Sequence, residues 1–196
     1  MKSEELKRAK RASRDAVRAA RDLLPASERT RASALIAERV VGLPELRRAR
    51  TVMAFWSFGS EVDTTPLIAA LHESGTRVAL PRIVHGELEP RAYAPGDPVS
   101  ETAFGALEPS EGLRVDPMEI DVVITPAVAL DRSGRRVGYG GGFYDRFFPT
   151  TRPDAVRVGI GFGVQLVDGD LPGGHFDLRV DLIVTESEIV RCSRDG

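Results

Sequence analysis

At 196 residues, with 42% hydrophobic and 29% charged residues, the chain has the size and make-up of a soluble globular protein, and no linker-like tract divides residues 1–196 into more than one domain. No apolar run approaches the roughly 20 residues that cross a bilayer, and no apolar core follows the charged stretch Lys2 to Arg14 as in a signal peptide, so a cytoplasmic location without membrane contact is expected. The lone Cys192 excludes an internal disulfide, while His72, His85 and His175 lack metal-ligand spacing, which argues against zinc.

The net charge of -2 is unevenly spread: residues 1–50 carry 14 basic against 7 acidic side chains, a balance of +7, which leaves -9 for the remainder. No aromatic residue is interleaved with those cations for base stacking, so a small polyanion suits them better than nucleic acid. Nothing in the pattern calls for an obligatory protein partner.

Leu6, Ala9, Ser13, Val17, Ala20 and Leu24 recur at three- and four-residue steps, the inward face of a helix from Ser3 to about Leu23 that Pro25 stops. On the same helix Lys7 with Arg11, Lys10 with Arg14, and Arg14 with Arg18 stand one turn apart, each pair repelling by roughly 0.2–0.5 kcal/mol. Either this is a solvated face eased by Glu4, Glu5, Asp15 and Asp22, or it serves an anion. A second helix begins near Ser27, with Ala34, Leu35, Val41 and Leu43 available for its buried side.

Thr51 to Trp56 lacks alternation and reads as a strand covered on both faces, and a helix from Thr65 to Ser74, ended by Gly75, follows it. Val78–Leu80, Ala92 with Tyr93, Val122–Thr125, Val158–Ile160 and Leu182–Thr185 are further short strands. Strand and helix signals alternate, which predicts an α/β fold: a single layered domain with a mainly parallel central sheet flanked by helices, its ligands bound at the carboxyl ends of the strands. The turn from Ser57 to Thr64 brings Glu61 and Asp63 to that end. Glu61 is the stronger functional candidate, Asp63 suits a turn, and Thr64 is placed to cap the next helix.

The most specific stretch is Arg136-Val-Gly-Tyr-Gly-Gly-Gly-Phe-Tyr-Asp-Arg146. Three spaced glycines, Gly138, Gly140 and Gly142, run into a helical Phe143–Phe148, a pattern suited to close backbone approach to an anion at a helix start. A Walker A loop is excluded, since no Gly-Lys is followed by Ser or Thr, and the dinucleotide fingerprint fails on spacing and position. A plain flexible loop has no use for Tyr144, Asp145 and Arg146. Downstream, Asp181 opens a buried strand: either it shares a hard cation such as Mg²⁺ with Asp145, or it is a strand-edge carboxylate bonded to backbone.

Taken together the motifs resemble the 5-formyltetrahydrofolate cyclo-ligase family, also called methenyltetrahydrofolate synthetases. The resemblance runs through Lys10-Arg11-x-x-Arg14, Glu61-Val62-Asp63-Thr64, Leu80-Pro81-Arg82, Phe104-Gly105, Glu108-Pro109, the signature from Pro126 to Arg146, Asp177-x-x-x-Asp181 and Thr185-Glu186. It implies an ATP- and Mg²⁺-dependent closure of 5-formyltetrahydrofolate to 5,10-methenyltetrahydrofolate through a phosphorylated formyl oxygen. By the same resemblance Lys10 and Arg14 are ligands of the ATP phosphates and the loop Gly138, Tyr139, Gly140, Gly141, Gly142, Phe143, Tyr144 and Asp145 is the ATP cradle. Asp145 and Asp181 are then the metal positions, Glu61 a pterin ligand, and Tyr144 a second folate contact. Trp56, or Phe58 beyond it, is a candidate stacking wall for the pterin, with a core role for Trp56 as the alternative. Gly141 stands where some relatives carry lysine, and Arg136 or Arg146 is the candidate replacement for that charge, which makes them, with Tyr144, the catalytic candidates. The family's usual His-Asp is here Phe176-Asp177, so neither His175 nor Phe176 is given a role.

Overall fold

The computed structural model describes residues 3–102 and 105–193; Phe104 of the family pattern lies outside them. Helix α1, Ser3–Asp22, carries Glu4 and Glu5 in its first turn and Arg21 in its last, the arrangement that complements a helix dipole. Pro25 precedes α2, Ala26–Gly42, and α3, Pro44–Arg48, leads into β1, Thr51–Met53. Then come α4, Thr65–Glu73, and the long strands β2, Arg77–Val84, and β3, Glu87–Ala92. A small hairpin, β4 Val99–Glu101 with β5 Leu107–Pro109, is followed by β6, Val122–Pro126, and by β7, Ala129–Asp131, with β8, Arg136–Val137. The chain ends with α5, Phe143–Phe147, β9, Val156–Ile160, β10, Leu166–Val167, β11, Leu182–Val184, and β12, Ile189–Arg191.

Seven strands form the main sheet in the order β12-β11-β9-β6-β1-β2-β3. The five inner strands run parallel, and both edges are closed by antiparallel strands. The sheet is therefore mainly parallel, as the alternation of elements predicts. Its two faces separate by residue parity, because successive side chains of a strand point to opposite sides. Val52 and Ala54, Val122 and Ile124, and Leu182 and Val184 pack with Ile36, Val40, Leu67 and Leu71 of α2 and α4. Met53, Ala79 and Val123 face the other way, against Phe147 and Phe148 of the α5 segment. Double burial explains why β1 and β6 read as unbroken apolar runs.

Several local expectations change. The buried side of α2 is Ala32, Ser33, Ile36, Ala37 and Val40, while Ala34 and Leu35 are exposed; the small Ala32, Ser33 and Ala37 lie on the inward side with Ile36 and Val40, which pack against α4 and the sheet. On α1, Ala20 is exposed and Arg21 takes its place in the interior, for reasons given below. Thr64 does not cap α4: its hydroxyl donates to Phe55 O (2.7 Å) and accepts from Ser57 N (3.1 Å), knitting the turn after β1. Asp63 supplies the cap, its Oδ1 accepting from Thr65 N at 2.9 Å. Gly75, at φ 81, ends α4 as expected, with Gly75 N donating to His72 O and Thr76 N to Leu71 O.

Ile124 is fully buried at the centre of the sheet. Ile124→Ala is expected to cost about 2–5 kcal/mol by lost burial plus a cavity, read as a lower urea midpoint at unchanged slope; a loss below about 1 kcal/mol would mean that this layer relaxes freely.

Candidate active site

A hairpin wired by one buried carboxylate delivers the glycine loop. Asp131, 1% exposed, accepts through Oδ1 from Ser133 N (2.9 Å) and Ser133 Oγ (2.6 Å), and through Oδ2 from Leu171 N (2.8 Å). The turn so fixed sends the chain back as β8, which carries Arg136. This guanidinium is buried against two rings, with its carbon 5.6 Å from the Tyr144 centroid and 5.1 Å from that of Phe148, and it donates to Asp145 Oδ1 at 2.8 Å. Burial lowers the Arg136 pKa from its ordinary value, against the opposing pull of Asp145. Leu178 N also donates to Asp145 Oδ1 (3.1 Å), tying α5 to the segment before β11.

Helix α1 closes the site from the opposite side. Val17 anchors it among Ala129, Val137 and Leu171. From the same face Lys10 donates to both oxygens of Asp177, Arg14 Nε donates to Gly138 O (2.8 Å), and Arg21 donates to Ser60 Oγ (3.0 Å) and Tyr139 Oη (3.1 Å). The basic stripe thus divides: Lys10 and Arg14 turn inward, while Lys7, Arg11 and Arg18 are exposed, Lys7 paired with Glu4 and Arg11 with Asp15. Arg21, 3% exposed, holds the position that an apolar residue was expected to hold, because a hydroxyl and a phenol lie within its reach.

Between α1 and the glycine loop lies a cleft of about 540 Å³. Five cations line it, Lys7, Lys10, Arg11, Arg14 and Arg136, against two carboxylates, Asp145 and Asp177, and its floor is Gly138, Tyr139, Gly140, Gly142, Phe143 and Tyr144. Gly140 sits at φ 109 and Gly142 at φ 64, conformations that side chains with a Cβ adopt only under strain. Helix α5 is a single turn, so it offers the open amides of its first residues rather than a long dipole. The Tyr144 side chain is half-buried in the cleft floor, and desolvation raises its pKa well above the ordinary tyrosine value.

Glu61 lies beside the cleft, at the carboxyl ends of the strands as expected. It lines a small cavity with Phe55, which follows β1, with Pro126 of β6, and with Ile160 of β9. Its Oε1 accepts from Tyr139 Oη (2.7 Å) and its Oε2 from Phe58 N (3.0 Å). Burial pushes the carboxyl above its usual range, partly offset by the Tyr139 and Phe58 hydrogen bonds and by the charge of Arg21. Phe58 stacks at 5.2 Å on Tyr139 and lines a second pocket of about 280 Å³ that Glu61 also touches.

Besides Glu61, four candidates from the sequence do not line the cleft. Trp56 meets Tyr93 edge-on at 5.4 Å and packs on the core, so the aromatic beside Glu61 is Phe58. Arg146 stacks on Phe143 and holds the loop tip to the β2–β3 turn through Gly141 O (2.8 Å), Gly86 O (3.1 Å) and Glu87 (3.2 Å), which leaves Arg136 as the cation facing inward. Gly141 contributes that carbonyl, and a Cβ there would come within 2.5 Å of the Phe143 ring. The Asp181 carboxylate accepts from Arg157 N (2.7 Å) at the start of β11, the strand-edge alternative, while Asp177 stands in the cleft. Arg21 had no distinct sequence signal as a site residue, and Asp177 stood out only as part of the family pattern; the seven-residue step from Arg14 to Arg21, two helical turns, is the one clue to the former.

A profile of the 5-formyltetrahydrofolate cyclo-ligase family matches residues 6–186. The chain belongs to that family. It is 33% identical over 179 residues to the 5-formyltetrahydrofolate cyclo-ligase of Haemophilus influenzae, covering 87% of this chain and 95% of that protein. It is 38% identical over 160 residues to the one of Escherichia coli, covering 78% and 87%. The solved structure of Aquifex aeolicus 5,10-methenyltetrahydrofolate synthetase superposes with a TM-score of 0.83 at 32% identity, over 95% of this chain and 94% of that one. The cyclo-ligase fold therefore extends over most of the chain, and the cleft between α1 and the glycine loop lies within the matched residues.

Gly140→Ala is expected to lower stability by about 1–2 kcal/mol, since φ 109 is a conformation that residues with a Cβ adopt only under strain. Denaturant unfolding checks this; an unchanged midpoint would mean that the loop is not held in this conformation.

Proposed function

We propose that the chain catalyses the ATP- and Mg²⁺-dependent cyclisation of 5-formyltetrahydrofolate to 5,10-methenyltetrahydrofolate, releasing ADP and phosphate. The observation that carries the reading is the contact between two chemically different sites. A cleft with five cations and an open glycine backbone suits a triphosphate, and Tyr139 of that same loop reaches the buried Glu61, an acceptor for the N–H groups of a pterin.

In the proposed reaction the formyl oxygen attacks the γ-phosphorus and the bond to ADP breaks. N10 then adds to the activated carbon, the phosphate departs from it and the N10 proton is lost. Such chemistry asks the protein mainly for positioning and charge stabilisation. Lys10 and Arg14 bind the phosphates from α1, with Lys7 and Arg11 at the rim. Arg136, fixed by Asp145 and the Tyr144 and Phe148 rings, is the cation best held to meet charge developing on the transferred group. Arg146 acts at one remove by holding the loop tip.

Among the described residues no three His, Cys, Asp or Glu side chains are grouped to hold a metal ion. That suits magnesium, which binds through one or two carboxylates and takes its other oxygens from water and phosphate. Asp145, facing the cleft and 23% exposed, fits as the holding carboxylate, and Asp181, engaged with the β9 backbone, fits less well. Bound there, the ion would neutralise charge on the phosphates. Glu61 orients the pterin, and Phe58 offers it an aromatic face.

The test is formation of the methenyl product, followed by its near-ultraviolet absorbance, with 5-formyltetrahydrofolate, Mg²⁺ and ATP. Product that depends on ATP is expected; ATP binding without product would instead identify a binder or an enzyme for another substrate. Asp145→Asn is expected to lower kcat by about 100-fold or more and, because it takes the counter-charge from the buried Arg136, to lower thermal stability as well, and near-normal turnover would remove Asp145 from the metal site.

A further inference from the structure

Arg21 is a buried guanidinium that the proposed reaction leaves without a task. It lies two turns beyond Arg14 on the inward face of α1, 3% exposed, and its bonds go to Ser60 Oγ and Tyr139 Oη rather than to a carboxylate. Asp22 approaches no closer than 3.8 Å, is half exposed, and is itself engaged by the Ser60 hydroxyl. The other anion near Arg21 is Glu61, reached through the Tyr139 phenol, and both side chains line the same small cavity at the strand ends with Pro126 and Gln165. Buried charges are tolerated when they balance each other and their hydrogen bonds are met, and removal of one partner leaves the other uncompensated.

We propose that Arg21 is a positioning residue for the folate substrate, holding Glu61 in place and in charge balance through Tyr139. The inference rests on the reading of Glu61 as the pterin acceptor. In the ligand-free arrangement Tyr139 Oη occupies Glu61 Oε1, so a pterin N–H that bonds to that oxygen takes the place of the phenol. Arg21 then remains as the counter-charge that keeps the buried carboxylate an acceptor. Its bond to Ser60 does not pass through Tyr139, so the guanidinium stays anchored to the Glu61 turn when the phenol withdraws.

The experiment is a double-mutant cycle on steady-state kinetics with Arg21→Met, Glu61→Gln and the pair. Arg21→Met is expected to raise KM for 5-formyltetrahydrofolate about tenfold or more, with KM for ATP changed less than about twofold. In the Glu61→Gln background the same change is expected to add nothing. An unchanged folate KM in Arg21→Met beside a raised one in Glu61→Gln would overturn the role of Arg21 alone. An unchanged folate KM in Glu61→Gln would overturn the reading of Glu61, and this inference with it. Full additivity of the two changes would also overturn it, since Arg21 would then act independently of Glu61. If circular dichroism shows that Arg21→Met does not fold, Arg21→Lys carries the test: it keeps the charge but cannot keep both bonds, and an intermediate rise in folate KM is expected, with wild-type KM contradicting the proposal.

Discussion

A helix that turns lysine and arginine inward needs a surface of oxygens to receive them, and that requirement organises the site. Asp177, Gly138 O, Ser60 and Tyr139 receive Lys10, Arg14 and Arg21. These acceptors lie on three separate stretches of chain: the segment before β11, the glycine loop, and the turn after β1. One helix therefore ties together the parts proposed to bind phosphates and the part that presents Glu61. A hydrogen bond to a charged donor contributes roughly 1.5–3 kcal/mol, enough to hold a glycine-rich loop whose backbone entropy otherwise favours disorder.

The sheet supplies the fixed frame against which the clamp works. Its inner strands are buried on both faces, by α2 and α4 on one and by the α5 segment on the other, so their carboxyl ends cannot shift independently. Glu61 stands on a turn locked by Thr64 to Phe55 O and by its own bond to Phe58 N. Arg136 stands on a hairpin locked by Asp131. Both charged groups are thereby immobilised in low-polarity surroundings, where electrostatic contacts are stronger than in water. The disturbed acidities of Glu61, Tyr144 and Arg136 follow from that burial.

The parallel core was legible because continuous apolar runs such as those of β1 and β6 have few other uses, and the glycine signature because its spacing suits no packing role. The antiparallel edges β3 and β12 were not, since an edge strand carries no apolar run of its own; β3 contains Pro90 and three charged residues. In the site, residue types alone pointed to Glu61, Asp145 and the glycines, and the family resemblance pointed to Lys10 and Arg14. Arg21 escaped because a cation at an inward helical position looks like an error in the apolar period until its acceptors, 39 and 118 residues away, are in view. For Trp56 and Asp181 the residue type left two readings open, and the geometry favours the structural one in each: Trp56 meets Tyr93 and Asp181 accepts from the Arg157 amide.

The central claim is that the cations of α1 hold the glycine loop in its observed conformation before any ligand arrives. Amide hydrogen exchange in the ligand-free protein, compared between wild type and Arg14→Ala, tests it most directly. The clamp predicts faster exchange confined to the loop and the first turn of α5, from Gly138 to Asp145, with β6 and β9 protected as before. Equal protection of the loop in both proteins would contradict it, and the loop would then owe its shape to its own backbone alone.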